Sequence, residues 1–274
     1  MTKTRFILPN AFTSMNFLLG VFSIVWAAGV FGAGNASYDQ FRISAYFVVL
    51  CALLDKLDGF AARLVNASSE FGAQFDSLAD LVAFGIAPGV CFLCCYKANA
   101  PEWFSQNIPL LLIVFSIYVL CAAMRLAKYN AVDSDAYHHH FSGMPSTFAG
   151  GLNMVFITFM NSRGIFDNPQ SSLIFVPVFV MLITGFLMVS PLFLPKIQVR
   201  KSKALNMLQA VLVVLTYIAG FFFISEKVPF TSEFLLIEMA LYFVIGFGLG
   251  IVQRDQIIRE AEEGLKAEGK SKAE

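Results

Sequence analysis

Charge is what this chain has least of. Of its 274 residues only 14% are Asp, Glu, Lys or Arg, against about a quarter in a typical soluble domain. Hydrophobic residues make up 57%, and the mean hydropathy is +0.69. A globular domain of this size has too much surface for its volume to hide so much apolar area. A water-soluble fold is therefore excluded, and the solvent for most of the chain is lipid. An excess of either sign is also missing: 19 Lys and Arg balance 19 Asp and Glu. Bulk charge thus gives no reason to expect a nucleic-acid partner, and none is expected. Cysteine is scarce and odd in number, and Cys51, Cys91, Cys94, Cys95 and Cys121 all fall in apolar stretches. No disulfide framework is expected. The clustered Cys91, Cys94 and Cys95 fall short of the four spaced ligands of a closed zinc site and read as packing residues. Histidine is confined to His138, His139 and His140, whose adjacent side chains do not converge as i,i+4 pairs do, so they read as part of a polar loop.

What is present in quantity is apolar sequence in pieces of membrane-spanning length. A helix needs about 20 apolar residues to cross the hydrocarbon core, and about eight segments qualify or nearly do: 10–32, 41–62, 75–97, 107–127, 146–162, 171–190, 205–225 and 231–252. The fold class expected is all-α, a polytopic integral membrane helix bundle. Basic residues test its orientation, because Lys and Arg concentrate in cytoplasmic loops. With both termini in the cytoplasm, that side holds Lys3, Arg5, Arg63, Arg125, Lys128, Lys196, Arg200, Lys201, Lys203, Arg254, Arg259, Lys266, Lys270 and Lys272. The other side holds only Arg42, Lys97, Arg163 and Lys227. The first apolar run is too long for a cleaved signal and carries Asn10, Thr13 and Asn16. Residues 1–252 read as the membrane domain and 253–274 as a charged cytoplasmic tail.

The few charges inside spans are informative, since each costs about 2.5–3.5 kcal/mol at a helix centre on insertion scales. Four aspartates occur together. The second span ends Asp55-Lys-Leu-Asp58-Gly59-Phe-Ala-Ala62-Arg63, and after an eight-residue gap comes Gly72-Ala-Gln-Phe-Asp76-Ser-Leu-Ala-Asp80. At 3.6 residues per turn Asp55 and Asp58 lie about 60° apart on their helix, and Asp76 and Asp80 about 40° apart on theirs. The short connection makes the helices antiparallel neighbours whose acidic faces can meet. Carboxylates so close repel unless cations lie between them, and all-oxygen ligands suit Mg²⁺, Mn²⁺ or Ca²⁺. Paired ions of this kind recur in phosphoryl displacement. Gly59 and Ala62 leave room for a ligand or another backbone, Arg63 suits a phosphate, and Gly72 permits a close turn.

Asp55, Asp58, Gly59, Ala62, Arg63, Gly72, Asp76 and Asp80 match position for position the signature D-x2-D-G-x2-A-R-x8-G-x3-D-x3-D. The chain therefore resembles the CDP-alcohol phosphatidyltransferase family. The core motif, 55–80, covers about a tenth of the chain. The resemblance implies that an alcohol displaces CMP from CDP-diacylglycerol at a divalent metal pair, Mg²⁺ or Mn²⁺, with Ca²⁺ as another possible occupant. It implies that Asp55, Asp58 and Asp76 hold the metals, and that Asp80 joins them or acts catalytically by deprotonating the alcohol. Gly59, Ala62, Arg63 and Gly72 would border CDP-diacylglycerol. A homodimer is the family expectation.

Three softer patterns resemble the branch of that family that uses L-serine. They are Leu8-Pro9-Asn10-Ala-Phe-Thr13-Ser-Met-Asn16, Arg125-Leu-Ala-Lys128-Tyr-Asn130, and Phe141-Ser-Gly143-Met-Pro145-Ser-Thr147. The resemblance implies phosphatidylserine and CMP as products. Serine brings a carboxylate to an acidic site and calls for a cation. Arg125 and Lys128 fit that need, or they are interfacial residues with snorkelling side chains. Thr13 and Asn16 share a helix face and either meet the cytidine or make polar helix contacts. Charge placement puts the motif at the cytoplasmic ends of two spans, in what reads as a bacterial inner membrane. Glu238, toward the outer side, is expected to be partnered locally. Two rival readings remain: another acceptor (glycerol 3-phosphate, inositol or choline), or a transporter using its intramembrane carboxylates. Against the transporter, the sequence has no second copy of the aspartate pattern.

Overall fold

The computed structural model describes residues 7–30, 38–65, 70–133, 140–195, 203–222, 230–255 and 257–259. The side chains of 56–65 lie outside the described part, so Asp58, Gly59, Ala62 and Arg63 are placed by the backbone of their helix alone; His138 and His139 lie outside it altogether. Nine α-helices are described: α1 (Ile7–Ala27), α2 (Tyr38–Val65), α3 (Glu70–Asp80), α4 (Ala87–Asn99), α5 (Pro101–Lys128), α6 (Ser146–Ser162), α7 (Val176–Val189), α8 (Lys203–Phe222) and α9 (Thr231–Val252). A π-helical segment, Leu81–Ile86, joins α3 to α4, so that Glu70–Asn99 is one continuous 30-residue rod.

By length and composition five stretches can cross a membrane: Asn10–Ala27, Glu70–Asn99, Pro101–Ala131, Ser172–Val189 and Thr231–Val252. The chain is thus a helical integral membrane protein. Three of the expected spans are helical without meeting that standard. α2 is long enough but carries Arg42 near one end and Asp55, Lys56 and Asp58 near the other. α6 has 17 residues, and the apolar part described in α8 is Val211–Phe222. Large apolar side chains such as Ile113 and Leu120 on α5, Phe179 and Ile183 on α7, and Leu241 and Val244 on α9 face outward, as a lipid-contacting surface requires.

α1 lies along α2, α5 packs on α4 and α7, and α6 sits among α2, α4, α7 and α9. The core holds Phe84, Phe92, Tyr96, Tyr118, Met154 and Phe166, all essentially fully buried. The five cysteines are unpaired, and four of them are buried. Glu238 of α9 accepts a hydrogen bond on Oε1 from Thr216 Oγ1 of α8, a local partner, while its Oε2 is buried without one among the described residues.

Three features go beyond the sequence expectation. The third span, expected over 75–97, starts five residues earlier, with Glu70 in its first turn, where a carboxylate complements the helix dipole. The fourth, expected over 107–127, is the longer limb of α5; a shorter limb from Pro101, where proline is favoured in a first helical turn, precedes it, and the two meet at a kink where Asn107 leaves helical geometry (φ −117°, ψ 16°). A two-stranded antiparallel ribbon, β1 (His140–Ser142) with β2 (Phe193–Pro195), appears inside an otherwise helical fold. Three-residue strands are too short to leave a period-2 pattern.

Gly150 and Gly151 would weaken α6 as an isolated helix, yet Gly150 brings α6 onto the π segment. A Cβ at Gly150 would stand 2.7 Å from Phe84 Cα. In an ordinary helix Gly→Ala gains about 1 kcal/mol. Here overpacking against a backbone that cannot swing aside costs about 1–3 kcal/mol. Gly150→Ala is therefore expected to lower the melting temperature of the detergent-solubilised protein, and an unchanged or raised value would show that the two helices can separate without penalty.

Candidate active site

The end of α2 and the body of α3 bring three of the four aspartates together. One carboxylate oxygen from each of Asp55, Asp76 and Asp80 lies within 4.8 Å of the other two. Asp80 is buried, and Asp55 and Asp76 are half-buried. At that separation each pair repels by about 3 kcal/mol for an effective dielectric constant near 20. A cation among the three oxygens removes the repulsion, and carboxylates alone select a hard one. The donor set therefore fits a divalent cation. Asp58 follows Asp55 by one turn of α2.

Side chains from three distant parts of the chain reach this cluster. Asn16, fully buried on α1, donates from Nδ2 to Asp80 Oδ1 at 3.3 Å; its own carbonyl accepts from the Cys51 thiol. Thr147, in the first turn of α6, donates from Oγ1 to Asp55 Oδ2 at 3.4 Å. Asn130, just beyond α5, donates from Nδ2 to Ser77 Oγ at 2.8 Å, beside Asp76. Thr13 is buried one turn before Asn16, and Gly72 is half-buried one turn before Asp76.

Arg125 and Lys128 end α5 with their donors turned toward the segment that leads into α6. Arg125, buried, donates from Nε to the Met144 carbonyl at 3.2 Å, and its guanidinium lies 5.0 Å from the centre of the Tyr129 ring. Lys128 Nζ donates to Ser142 Oγ at 2.7 Å. Gly143, between those acceptors, has φ +75°, and a Cβ there would meet Met188 O at 2.4 Å. Only glycine makes that turn without strain. Both cations thus help to hold the loop that presents Thr147 to Asp55. Sequence reasoning grouped Thr147 and Asn130 with softer patterns and gave them no place at the carboxylates, because a side chain's partner in a remote helix leaves no trace in local spacing.

A carboxylate cluster able to hold a hard cation, set among membrane-spanning helices, defines a membrane-embedded site for chemistry on a charged group. The family model for CDP-alcohol phosphatidyltransferase matches residues 6–245, and the chain belongs to that family. Among curated relatives, a CDP-diacylglycerol–serine O-phosphatidyltransferase of Helicobacter pylori is 31% identical over 242 residues, covering 88% of this chain and 90% of its own. Proteins of the same name are 35% identical over 154 residues in Mycobacterium bovis, covering 54% of this chain and 48% of theirs, and 31% identical over 153 residues in Bacillus subtilis, covering 56% and 75%.

The cluster predicts a cation site that depends on each carboxylate. Asp76→Asn, which keeps size and removes charge, is expected to weaken Mn²⁺ binding to the purified protein at least about tenfold, because affinity of such sites follows ligand charge. Asp167→Asn, beyond the other end of α6 and so about 25 Å away by helix rise, is expected to leave it unchanged. Equal affinities for the two variants, measured by electron paramagnetic resonance of free Mn²⁺, would move the site elsewhere.

Proposed function

We propose that this chain transfers a phosphatidyl group from CDP-diacylglycerol to the hydroxyl of L-serine, releasing phosphatidylserine and CMP. The observation that carries the reading is the convergence at and beside the carboxylates. Three sequence patterns far apart in the chain contribute Asn16, Asn130 and Thr147 to Asp80, Ser77 and Asp55. Those patterns are the ones that resemble the serine-using branch, and the shared name of the relatives supports serine as the acceptor.

In this reading Asp55, Asp58, Asp76 and Asp80 would hold two Mg²⁺ or Mn²⁺ ions, with Ca²⁺ as an alternative occupant. Bound there, such ions neutralise charge on the diphosphate and on the departing nucleotide. The remaining work falls to the chain. Asp80 accepts the proton of the serine hydroxyl as that oxygen attacks the phosphorus bearing diacylglycerol. The bond from that phosphorus to the bridging oxygen breaks, and CMP leaves with the electron pair. Asn16, bonded to Asp80, orients that carboxylate. Arg63 pairs with the diphosphate, and Gly59, Ala62 and Gly72 leave room beside it. Thr13 borders the nucleotide. Arg125, stiffened by Tyr129 and Met144, with Lys128 one turn on, takes the serine carboxylate.

The same reading gives eight spans with both termini in the cytoplasm, a catalytic membrane domain over 1–252 and a tail over 253–274. The active site opens to the cytoplasmic side of a bacterial inner membrane, where serine and CMP exchange with water while the acyl chains stay in lipid. Two copies form the working enzyme.

Purified protein supplied with CDP-diacylglycerol, Mg²⁺ or Mn²⁺ and a panel of alcohols is expected to release CMP with serine and not with glycerol 3-phosphate, inositol or choline. Asp80→Asn is expected to keep its melting temperature and lose at least about 10²-fold in turnover, the usual contribution of a general base. CMP release with a different alcohol would correct the acceptor; no release with any would favour a transporter.

A further inference from the structure

The π segment between α3 and α4 has a cause in the sequence. In an α-helix the carbonyl of residue i accepts from the N–H of residue i+4, and for Phe84 that residue is Pro88, which has no N–H and whose ring presses on the same carbonyl. The backbone responds by widening: Ala87 N–H reaches back five residues to Val82 O. The Phe84 carbonyl is satisfied from another helix, by the Tyr118 hydroxyl of α5 at 2.8 Å. Tyr118 is fully buried. In lipid such a replacement is obligatory, since an unanswered carbonyl has no water to turn to.

The widening changes which residues face the core. The buried stripe of α4 runs through Cys95, Cys91 with Phe92, and Pro88. Continued backward at 3.6 residues per turn in a straight helix, it would pass through Leu81 and Ser77. One residue inserted into the helical ladder turns everything before it by about 100° and carries the stripe through Asp80 and Asp76 instead. The structure has Ala79 and Asp80 buried, Asp76, Ser77 and Leu81 half-buried and Leu78 exposed, and it brings the Asp76 and Asp80 carboxylates together with that of Asp55. α1 and α6 lie against this turn: a Cβ at Gly20 would meet Ala83 Cα at 3.0 Å, and one at Gly150 would meet Phe84 Cα at 2.7 Å.

We propose that Pro88 and Tyr118 are positioning residues for the cation site. Pro88 forces the π turn, Tyr118 answers the carbonyl it orphans, and together they rotate Asp76 and Asp80 onto the face where Asp55 stands. Neither residue belongs to the carboxylate cluster; both lie two or more turns from it or on another helix. The inference rests on the reading of that cluster as a divalent-cation site and adds the device that aims it.

The test is Mn²⁺ affinity, measured by electron paramagnetic resonance on detergent-solubilised protein without substrate, for the wild type, Pro88→Ala, Tyr118→Phe and the double variant, with melting temperatures alongside. Each single variant is expected to weaken binding by about 10–100-fold, the range for residues that orient metal ligands. The double variant is expected to bind no worse than Pro88→Ala alone, because the N–H of the new alanine answers the Phe84 carbonyl and leaves the tyrosine hydroxyl nothing to replace. Wild-type affinity in either single variant overturns the proposal. So do losses that simply add, which would mean general loosening of the fold. Should Pro88→Ala not fold, Tyr118→Phe decides alone: weaker binding by protein that is still folded at the assay temperature supports the proposal, and wild-type affinity goes against it. A wild type that binds no Mn²⁺ overturns the cation-site reading itself, an outcome distinct from wild-type binding with unaffected variants.

Discussion

Three carboxylates held within 4.8 Å of one another among membrane helices are an arrangement that cannot stand by itself. Their mutual repulsion and the cost of placing each beside lipid must be offset by something the fold supplies. Much of the surrounding structure is organised to that end. α1 places the Asn16 amide on Asp80, α6 begins with a hydroxyl on Asp55, and the extension of α5 places Asn130 on the neighbour of Asp76. Each contact is a modest hydrogen bond: two have a charged acceptor, at 3.3 and 3.4 Å, and that of Asn130 has a neutral one beside the cluster. A divalent cation, which the donor set fits, would supply the larger remaining term.

The same constraint accounts for features that look incidental when taken singly. The ribbon of β1 and β2, the left-handed turn at Gly143 and the donors of Arg125 and Lys128 all fix the stretch from Ser142 to Pro145, and that stretch sets where α6 starts. Thr147 reaches Asp55 because that start is fixed. Tyr242 of α9 donates to Pro195 O and ties the ribbon to a helix at the edge of the bundle. The apolar majority of the chain provides a close-packed scaffold in which glycines such as Gly150 let backbones approach. An amphiphilic substrate needs the two together: an outer surface that admits acyl chains and an inner cluster of charge that grips a diphosphate.

Much of this was legible in the sequence. Scarcity of charge located the chain in lipid, and helical spacing put Asp55 and Asp58, and Asp76 and Asp80, on common faces before any fold was known. The spacing is local, so local rules reach it. The structure places Asp55, Asp76 and Asp80 together; the side chain of Asp58 is outside what is described. What could not be read is the orientation of those faces. Simple periodicity assumes 3.6 residues per turn throughout, and the rod from Glu70 to Asn99 departs from it at Leu81–Ile86. Pro88 lies inside the span expected over 75–97 as a regular helix, and its compensating partner, Tyr118, is thirty positions away. Likewise Asn16 was read as a residue that meets either nucleotide or another helix, and its bond to a catalytic-motif aspartate depends on how α1 crosses the bundle. The glycines at the start of α6 show a related gap: they are a cost to an isolated helix and a means of close approach in a packed one.

The central claim is that the aspartates of α2 and α3 form one cation site at the heart of a phosphatidyl-transfer centre. Anomalous diffraction from crystals grown with Mn²⁺ tests it most directly. The account predicts anomalous peaks bounded by the carboxylates of Asp55, Asp76 and Asp80, with Asp58 completing the site. Peaks elsewhere in the molecule, with none among these side chains, would contradict it.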